Sequence, residues 1–493
     1  MDIENVSPSI YITDVYKRIK RRGDGNQMYK AKRRCDIVHW KKVSVKHRHK
    51  FERLVQVWKN DPQSVTVING NGVCFEEEFL IGSSSCGTAV YICLGLDGIE
   101  RAIKRVPKHL YLKLLTERDI LNFPKASKSP HIVNYWYSDD DSSDDTCYLI
   151  LDLYEQNLQD YVKEEGEAIT ESRAREMIRQ VLEGLRAIHG SKPIILHRDL
   201  KPSNVLIDVE GNLALSDFGI GRILSDEDAT TYYTNSAEIS GSVGWMAYES
   251  TNWSKWFPQS QVPSDSPIAE PKWKRQSDIQ AAGMLAFYIH TKGEHPFGEA
   301  IIDRMTNLRE GNAVGLAKLN GDSDVMVKDL LSQMLARELD KRPYVEQALK
   351  HPYFLSCEEQ MKFVAAVGNE PKLMNYNGVT RQLNNIDPLK PRSPLLPNDW
   401  KTVIGHDDLD TLCRGGHRFP SEYDGSRYTD CLRLIRNACQ HRDGKLRQLK
   451  KVATSSLEKY FFQLFPALPL VLLQIIREDP NWKTLPALEE FFP

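Results

Sequence analysis

The sequence predicts an α+β protein in which a β-rich lobe is followed by two helical regions. Strand-like alternation of apolar and polar residues occurs over 88–94 and 100–106, with glycine turns between the segments. Residues 171–189 instead carry apolar side chains at three- and four-residue spacings, which predicts a helix with one buried face. That face consists of Ala174, Met177, Ile178, Val181, Leu182, Leu185 and Ile188. Helical patterns continue to about residue 354 and resume from Trp400, so strands precede helices, as in many α+β folds.

Length and composition indicate more than one packed unit. The chain has 493 residues, of which 41% are hydrophobic and 27% are charged, a globular composition. Its net charge of −2 excludes a polycationic field over the whole molecule, so any nucleic-acid contact is local. The nine cysteines include no C-x-x-C pair. Neither a disulfide framework nor a zinc ribbon is therefore predicted, and a reducing compartment fits best.

No targeting or membrane segment is predicted. The N-terminus has no basic stretch followed by an apolar core, so it does not read as a secretory signal. The longest apolar run, residues 461–476, is interrupted by Gln463, Pro466, Pro469 and Gln474. Since it is too short and too interrupted to cross a bilayer, we expect a buried helix pair there and a soluble chain as written.

The N-terminal region is strongly basic. Residues 1–60 contain sixteen Lys and Arg against six Asp and Glu, a local net charge of +10. One interpretation is an arm that binds RNA, a membrane or a partner. The other, which we favour, is a solvated and partly disordered tail. Residues 1–74 are predicted as this basic region, and the β-rich lobe is expected to begin at Phe75.

Four residues in the middle of the chain point to phosphoryl transfer. Asp199 can accept the proton of an attacking hydroxyl, and Lys201 can neutralise charge that develops on a phosphoryl group. Asn204 and Asp217 can hold Mg²⁺ through oxygen atoms. These residue types in this order predict a site for a nucleotide and a metal ion.

Upstream residues complete this pattern. Lys104 can pair with phosphate oxygens, and Glu117 lies on the following helix, where it can hold the lysine. Gly82 and Gly87 flank a turn that can approach phosphates closely because it lacks bulky side chains. The order and spacing of all these elements resemble a eukaryotic-type Ser/Thr protein kinase over residues 75–355.

The resemblance implies a bilobal kinase fold that binds ATP or ADP with Mg²⁺, with Val90, Asp152 and Tyr154 also at the nucleotide. Two residues depart from the family pattern. Ser84 replaces the middle glycine of the phosphate-covering loop, and Tyr248 replaces a proline near the end of the activation segment. Both departures favour a weakened kinase, whereas the intact phosphoryl-transfer residues favour an active one. The hydroxyl residues that could take phosphate in the activation segment are Thr230, Thr231, Thr234, Ser236 and Ser240.

A second cluster lies near the C-terminus, on a predicted helix over residues 428–441. The apolar stripe of this helix consists of Cys431, Leu434, Ile435 and Ala438. Asn437 and His441 lie four residues apart beside that stripe, and Arg436 is expected further round, toward solvent. Residues 414–451 carry ten Lys and Arg against four Asp and Glu, so this region can hold a polyanion.

A kinase followed at once by this module resembles the family of the inositol-requiring sensor of endoplasmic-reticulum stress and the 2-5A-dependent ribonuclease. The resemblance implies an all-α kinase-extension nuclease domain over residues 356–493. It further implies metal-independent RNA cleavage that leaves 2′,3′-cyclic phosphate and 5′-hydroxyl ends. His441 would be the general acid, and Tyr423 would activate or orient the 2′-hydroxyl. Arg436 and Asn437 would stabilise the charged phosphorane.

In this family, nucleotide in the kinase cleft favours homodimers, and pairing completes the nuclease, so the resemblance implies a homodimer or higher oligomer. The expected substrate is a stem-loop or single-stranded RNA. Three interpretations stay open: both enzymes are active, the kinase is a nucleotide-sensing scaffold for the ribonuclease, or the C-terminal module only binds partners of a working kinase. Which branch of the family the chain resembles more is also open. We expect a cytoplasmic location, with association to the endoplasmic-reticulum membrane through a partner as the alternative.

Overall fold

A computed structural model describes residues 40–492 apart from several gaps. These gaps are residues 85–86, 140–144, 225–231, 234–241, 258–259, 261–271, 376, 387–388, 390–391, 414–419, 441–448 and 451–455. The chain divides into two compact units. The first unit contains the chain up to Arg118 together with Asn134–Glu155, and the second contains Asp119–Val133 and the chain from Gln156 onward.

The first unit is built on an antiparallel sheet. Its strands are β1 (Thr66–Ile68), β2 (Asn71–Val73), β3 (Leu80–Ser83), β4 (Ala89–Gly95), β5 (Glu100–Pro107), β6 (Tyr135–Asp139) and β7 (Thr146–Asp152). In the described part of this unit they form one sheet in the order β1–β2–β4–β5–β7–β6, and β3 pairs with β4. The strand-like alternation over residues 88–94 and 100–106 thus corresponds to β4 and β5, at the centre of the sheet.

A helix ahead of the sheet belongs to the same unit. This helix, α1 (Arg48–Asn60), buries Phe51, Leu54 and Trp58 against the sheet. A Cβ atom built on Gly72 would lie 2.1 Å from ring atoms of Trp58, so only glycine lets the indole pack this closely on β2. The folded lobe therefore starts ahead of Phe75, within the region predicted to be basic and partly disordered. The spacing of three apolar residues on α1 decides the fold there despite the local excess of positive charge.

The second unit begins with small strands and a group of helices. Helix α2 (Tyr111–Leu121) begins in the first unit and ends in the second. The further helices of the second unit up to residue 349 are α3 (Leu158–Glu165), α4 (Glu171–His189), α5 (Arg275–His290), α6 (Ile301–Glu310), α7 (Asp324–Met334) and α8 (Val345–Leu349). Its strands are β8 (Gln156–Asn157), β9 (Ile195–Leu196), β10 (Val205–Ile207), β11 (Leu213–Leu215), β12 (Arg222–Ile223), β13 (Tyr232–Tyr233) and β14 (Lys272–Trp273). The buried face predicted for α4 is confirmed, since each of its seven apolar residues is at most 3% exposed.

The same unit ends in a helical module. Its helices are α9 (Cys357–Asn369), α10 (Gly378–Leu383), α11 (Trp400–Ile404), α12 (His406–Cys413), α13 (Tyr428–Gln440), α14 (Leu457–Leu464), α15 (Leu468–Arg477) and α16 (Pro480–Lys483). The four residues of the stripe predicted on α13 are fully buried, which confirms that stripe. A Cβ atom on Gly368 would lie 2.9 Å from the carbonyl oxygen of Leu432, so glycine is needed where α9 crosses α13.

The apolar run near the C-terminus forms the predicted helix pair, α14 and α15. The two helices meet at an angle of 78°, and Phe461, Leu468 and Leu472 lie in the core of the module. Among the described residues, no single helix has the length and apolarity of a membrane span, and this bent pair passes that test only when its two halves are taken together.

Candidate active sites

The first candidate site contains an ion pair in the first unit. Lys104 on β5 donates from Nζ to Glu117 Oε2 on α2 at 2.7 Å, and the two side chains are 15% and 5% exposed. Val90 on β4 is the cross-strand neighbour of Lys104. Because little water competes for these charges, the pair fixes the ammonium group on the sheet, where it can bind phosphate oxygens.

The turn between β3 and β4 forms without a glycine at its middle position. The Ser84 amide donates to Thr88 O at 2.8 Å, and the Gly87 amide donates to Ser84 O at 3.1 Å. Gly87 has a φ of +86°, a conformation that favours glycine, and Gly82 lies in the strand pairing with Val90. Residues 85–86 lie outside the described part of the chain. Ser84 therefore does not prevent the hydrogen bonds that close the turn.

The first unit ends in residues 152–155, a short stretch that begins at the last residue of β7, and we call it the connecting segment. It includes two of the residues assigned to nucleotide by resemblance, Asp152 and Tyr154. The Asp152 carboxylate accepts a hydrogen bond from Trp136 Nε1 at 2.5 Å, and its amide donates to Asn134 O at 3.2 Å. Trp136 on β6 thus holds the side chain at the start of the connecting segment, and Asn134, just ahead of β6, holds its backbone.

In the second unit, three groups donate to the carboxylate of Asp199. Lys201 Nζ and Asn204 Nδ2 each lie 3.0 Å from Asp199 Oδ2. The amide of Ser242 donates to Asp199 Oδ1 at 3.1 Å, and Lys201 also donates to the Ser242 hydroxyl at 2.5 Å. This network orients one carboxylate oxygen beside a cation, which suits a base that accepts a hydroxyl proton. Sequence reasoning did not single out Ser242, although it lies in a run of residues, 241–245, that resembles the family.

The loop that carries Asp199 is anchored by a buried aspartate on α5. Asp278 Oδ2 lies 2.9 Å from His189 Nε2 and accepts the His197 amide, while Oδ1 accepts the Arg198 amide, all at 2.9 Å. Burial alone would raise the pKa of Asp278, but the hydrogen bond and charge of His189 lower it overall. An ionised carboxylate therefore holds two backbone amides directly ahead of Asp199.

Oxygen ligands for a metal ion come together nearby. The Ser216 amide donates to Asn204 O at 2.9 Å, which brings Asp217 next to Asn204 in space. Asp217 has a φ of +63°, and the ring of Phe218 lies 4.6 Å from that of His197. Because the Asn204 amide nitrogen is bonded to Asp199, its amide oxygen is left to act as a ligand. One amide oxygen and one carboxylate form a donor set that suits Mg²⁺.

Tyr248 compensates for the proline that it replaces. Its amide donates to Gln280 Oε1 at 2.8 Å, a bond that proline cannot make, and its hydroxyl accepts from Arg337 Nη2 at 2.7 Å. The next residue, Glu249, forms a buried two-point ion pair with Arg342, both contacts being 2.9 Å long. The end of the activation segment is thus held by hydrogen bonds, so the lost proline does not leave it unsupported.

The second candidate site lies on α13. Arg436 donates from Nε and Nη2 to Asn437 Oδ1 at 3.1 and 2.8 Å, and Asn437 Nδ2 donates to the Tyr423 hydroxyl at 3.2 Å. Tyr423 is 4% exposed. The expectation that Arg436 points toward solvent is wrong, because its guanidinium turns back to the neighbouring amide and is half-buried. His441 lies outside the described residues, directly after the last turn of α13.

Two residues on α11, which sequence reasoning missed, hold the turn that carries Tyr423. Lys401 Nζ donates to Pro420 O and Tyr423 O at 3.1 and 3.0 Å. Trp400 Nε1 donates to Asp424 O at 3.1 Å, and its ring meets that of Tyr423 edge to face at 6.2 Å. No local motif marks these residues, since they act through backbone carbonyls about twenty residues away.

A buried carboxylate joins this module to the helices ahead of it. Asp329 on α7 accepts bonds from Arg477 Nη1 and Nη2 at 2.9 and 3.1 Å and from Gln474 Nε2 at 2.7 Å, both residues lying on α15. His351 Nε2 is 3.1 Å from the same carboxylate. Burial would raise the pKa of Asp329, but these partners hold it well below its usual range.

Comparison with known proteins follows this division of the chain. Residues 75–354 match the protein kinase domain family, and residues 360–492 match the family described as Ribonuclease 2-5A. The sensor for unfolded proteins in the ER ire1 of Schizosaccharomyces pombe is 30% identical over 450 residues, which cover 86% of this chain and 39% of that protein.

Two further relatives carry names that state two activities. The serine/threonine-protein kinase/endoribonuclease ire-1 of Caenorhabditis elegans is 27% identical over 416 residues, covering 81% of this chain and 39% of that protein. The human serine/threonine-protein kinase/endoribonuclease IRE2 is 26% identical over 422 residues, covering 83% and 42%. The chain thus spans about two fifths of the length of these relatives.

Proposed function

The chain belongs to the family that joins a protein kinase domain to a ribonuclease 2-5A domain, and from this premise we propose that it is a nucleotide-regulated endoribonuclease with a Ser/Thr protein kinase domain. The observation that carries the proposal is the hydrogen-bonded row of Arg436, Asn437 and Tyr423 on the nuclease module. It brings a guanidinium, an amide and a phenol into contact within a region of positive charge. Such groups can bind and polarise a phosphodiester.

The proposed reaction is an internal transesterification of RNA. The ribose 2′-oxygen attacks the adjacent phosphorus, so that a P–O2′ bond forms and the P–O5′ bond breaks. Tyr423 orients the 2′-hydroxyl, which loses its proton to water, or activates it by taking that proton as a phenolate. His441 donates a proton to the leaving 5′-oxygen. Arg436 and Asn437 stabilise the charge that builds up on the phosphorane oxygens. The products are a 2′,3′-cyclic phosphate and a 5′-hydroxyl, and the nucleophile belongs to the substrate.

The geometry of the second site supports these roles. Asn437 bonds both neighbours at once, accepting from Arg436 and donating to Tyr423, so it fixes the guanidinium relative to the phenol. The bonds from Arg436 Nε and Nη2 to Asn437 use two of the five N–H groups of the guanidinium. The guanidinium therefore has further donors for phosphate oxygens. The role of His441 rests on its position in the sequence, one helical turn after Asn437.

The kinase region is proposed to bind ATP or ADP with Mg²⁺. Lys104, held by Glu117, would bind phosphate oxygens, and Asn204 with Asp217 would hold the metal ion. The other proposed nucleotide contacts are Gly82, Gly87, Val90, Asp152 and Tyr154. Bound Mg²⁺ would neutralise charge on the phosphates.

Asp199 would accept the proton of the hydroxyl that is phosphorylated, including hydroxyls of the chain itself, and Lys201 would stabilise the transferred group. The hydroxyl residues Thr230, Thr231, Thr234, Ser236 and Ser240 lie outside the described part of the chain.

An alternative is that the kinase is a nucleotide-sensing scaffold with weak turnover. The departure at Ser84 favours it, because a side chain now stands where the family loop carries none. The hydrogen bonds of Tyr248 weaken the other argument for it. In both alternatives nucleotide favours a homodimer that completes the nuclease site, by binding one conformation better than the other. A third alternative, in which the C-terminal module only binds partners, is weakened by the contact between Asn437 and Tyr423.

The proposed substrate is RNA in a stem-loop or single-stranded form, where bases are unpaired. The cytoplasm is the proposed location, and a partner at the endoplasmic-reticulum membrane is the alternative. The described cysteines are free thiols, as suits a reducing compartment.

Cleavage of a short RNA hairpin tests the proposal. The wild-type chain, given ADP and Mg²⁺, is expected to release fragments that end in 2′,3′-cyclic phosphate, while His441→Ala releases none and still binds nucleotide. Fragments that end in 3′-hydroxyl and 5′-phosphate would exclude the proposed chemistry. Undiminished cleavage by His441→Ala would exclude the role of that residue as the general acid.

A further inference from the structure

Residues 40–60, which we call the N-terminal strap, are bound to the first unit by two carboxylates. The first belongs to Glu100, at the start of β5, which is 7% exposed. Its Oε1 accepts from Trp40 Nε1 at 2.8 Å, and its Oε2 accepts from the amides of Val43 and Ser44 at 3.2 and 2.6 Å. One buried carboxylate thus accepts hydrogen bonds from three donors of the strap. Hydrogen bonds to an ionised carboxylate are stronger than those to a neutral acceptor.

The second carboxylate is that of Glu155, the last residue of the connecting segment. Its Oε2 accepts from the amides of Val45 and Lys46 at 3.2 and 2.5 Å, just ahead of the first turn of α1. A negative charge at the start of a helix is favourable, because the amides there have no partner within the helix. The strap therefore holds the side chain of Glu155 through its own backbone.

The strap also contacts the two residues before Glu155. Leu153 packs on the apolar cluster that contains Phe51 and Trp58 of α1. The buried ring of His47 lies close to backbone groups of Tyr154 and Glu155. Burial lowers the pKa of His47, and the Glu155 charge opposes this shift. Three consecutive residues of the connecting segment thus face the strap: Leu153 packs on its apolar cluster, Tyr154 lies near the His47 ring, and Glu155 binds two of its amides.

These contacts exceed what is needed to cover an apolar sheet. Phe51, Leu54 and Trp58 already pack in one apolar cluster with residues of the sheet. The polar contacts of Val45, Lys46 and His47 are instead directed to the stretch that carries Asp152 and Tyr154, both assigned above to the nucleotide. A shift of the strap must therefore move or loosen that stretch, since the strap supplies the partners of its backbone and of its last carboxylate.

We propose that the N-terminal strap positions the connecting segment for nucleotide, so that Glu155 and Glu100 are positioning residues of the nucleotide site. The inference rests on the proposed nucleotide site and adds a route by which the chain ahead of residue 40 acts on it. Anything that pulls the strap off Glu100 and Glu155 lowers nucleotide affinity, and bound nucleotide in turn favours the docked strap.

The test compares two variants at opposite ends of the strap in the full chain. Glu155→Ala removes the acceptor next to the nucleotide site. Glu100→Gln keeps the size of the side chain and leaves the connecting segment unchanged, but it removes the charge that holds Trp40, Val43 and Ser44. Glu77→Gln, an exposed change in the same unit, is the matched control. The measurements are the Kd for Mg-ADP by calorimetry, amide hydrogen exchange of residues 148–155 in the nucleotide-free chain, and the melting temperature.

Each variant is expected to raise the Kd for Mg-ADP about tenfold, and the double variant to raise it by less than the product of the two. Exchange over residues 148–155 is expected to accelerate in both, Glu155→Gln should recover part of the affinity, and Glu77→Gln should match wild type. A strap that only stabilises the fold would lower the melting temperature in both variants and leave the Kd unchanged, which overturns the proposal.

A failure of the nucleotide site itself gives a different result. If the wild-type chain binds no Mg-ADP, the proposed function of the kinase region is overturned, whereas the positioning of residues 148–155 is still decided by hydrogen exchange. Exchange there that is the same in Glu100→Gln and wild type overturns the positioning as well.

Discussion

The carboxylate of Asp329 on α7 accepts both terminal nitrogens of Arg477 at the end of α15, at 2.9 and 3.1 Å. The first residue lies in the region that matches a protein kinase and the second in the region that matches the ribonuclease. Gln474 and His351 bind the same carboxylate, so its lone pairs are fully used. The connection between the two modules therefore includes a specific polar cluster around a buried carboxylate.

Replacing Asp329 by alanine is expected to destabilise the chain by about 3 kcal/mol, because the partners on α15 and His351 would keep their buried polar groups without the acceptor. The measurement is urea unfolding followed by tryptophan fluorescence at pH 7. Asp322→Ala, an exposed change ahead of the same helix, should alter the free energy of unfolding by less than about 0.5 kcal/mol. Equal effects of the two substitutions would show that the cluster contributes nothing to the joint between the modules.

In the nuclease module, Asn437→Ala is expected to lower the rate of RNA cleavage by about 10²- to 10³-fold, since Asn437 holds Arg436 and Tyr423 together. Tyr423→Phe removes only the hydroxyl and should cost about 10²-fold or more if the phenol takes part in proton transfer. Initial rates on a hairpin substrate over a range of RNA concentrations give kcat and KM separately. Gln440→Ala, an exposed change on the same helix, serves as the control. A loss in Asn437→Ala that appears entirely in KM would assign the residue to binding alone.

Asp199→Asn separates phosphate transfer from nucleotide sensing. The amide keeps the shape of the site but is no base, so phosphate transfer is expected to fall by about 10²-fold or more. RNA cleavage in the presence of ADP should change by less than about threefold, because occupancy of the site rather than turnover favours the dimer. Radiolabelled ATP and the hairpin assay measure the two quantities on the same preparation, with the exposed Glu210→Gln as control. Parallel loss of both activities would mean that phosphorylation itself is required for cleavage.

Local patterns predicted those parts of the molecule in which one helix face carries the signal. The buried faces of α4 and α13 and the helix pair α14 and α15 follow directly from apolar spacing, because burial of a stripe depends on residues three and four apart. The order of the two modules, read from motif spacing, is confirmed by the family matches. Motif order also located Lys104 and Glu117, which the structure brings into contact.

Other features depend on contacts between residues far apart in the sequence, or on whether apolar packing outweighs local charge, which the sequence does not show. The strap contains apolar residues at helical spacing, but its charge suggested a solvated tail, and only packing on Gly72 and the sheet decides between these. The side-chain direction of Arg436 depends on a hydrogen bond to its own neighbour, which the helical angle alone does not reveal. Asp329 and Arg477 lie 148 residues apart, and no pattern in the sequence links them.

His295 provides a test based on pH, because burial lowers its pKa to about 3, with a smaller effect from Arg304. The unfolded chain binds a proton on this histidine near pH 6.5 and the folded chain does not, so stability is lost as pH falls from about 6.5 toward 3, by about 1.4 kcal/mol per pH unit.

His295→Asn removes this proton and keeps an acceptor for the Phe297 amide, which bonds to Nδ1 at 3.2 Å. The slope of the unfolding free energy between pH 4.5 and 6, measured with urea at about 25 °C, should therefore be smaller in His295→Asn than in wild type by nearly that amount. His406→Asn changes a histidine whose side chain is 86% exposed and should leave the slope unchanged. Identical slopes in all three proteins would show that His295 binds its proton equally well in the folded state, so that its burial against Trp245, 4.9 Å away, does not exclude the charge.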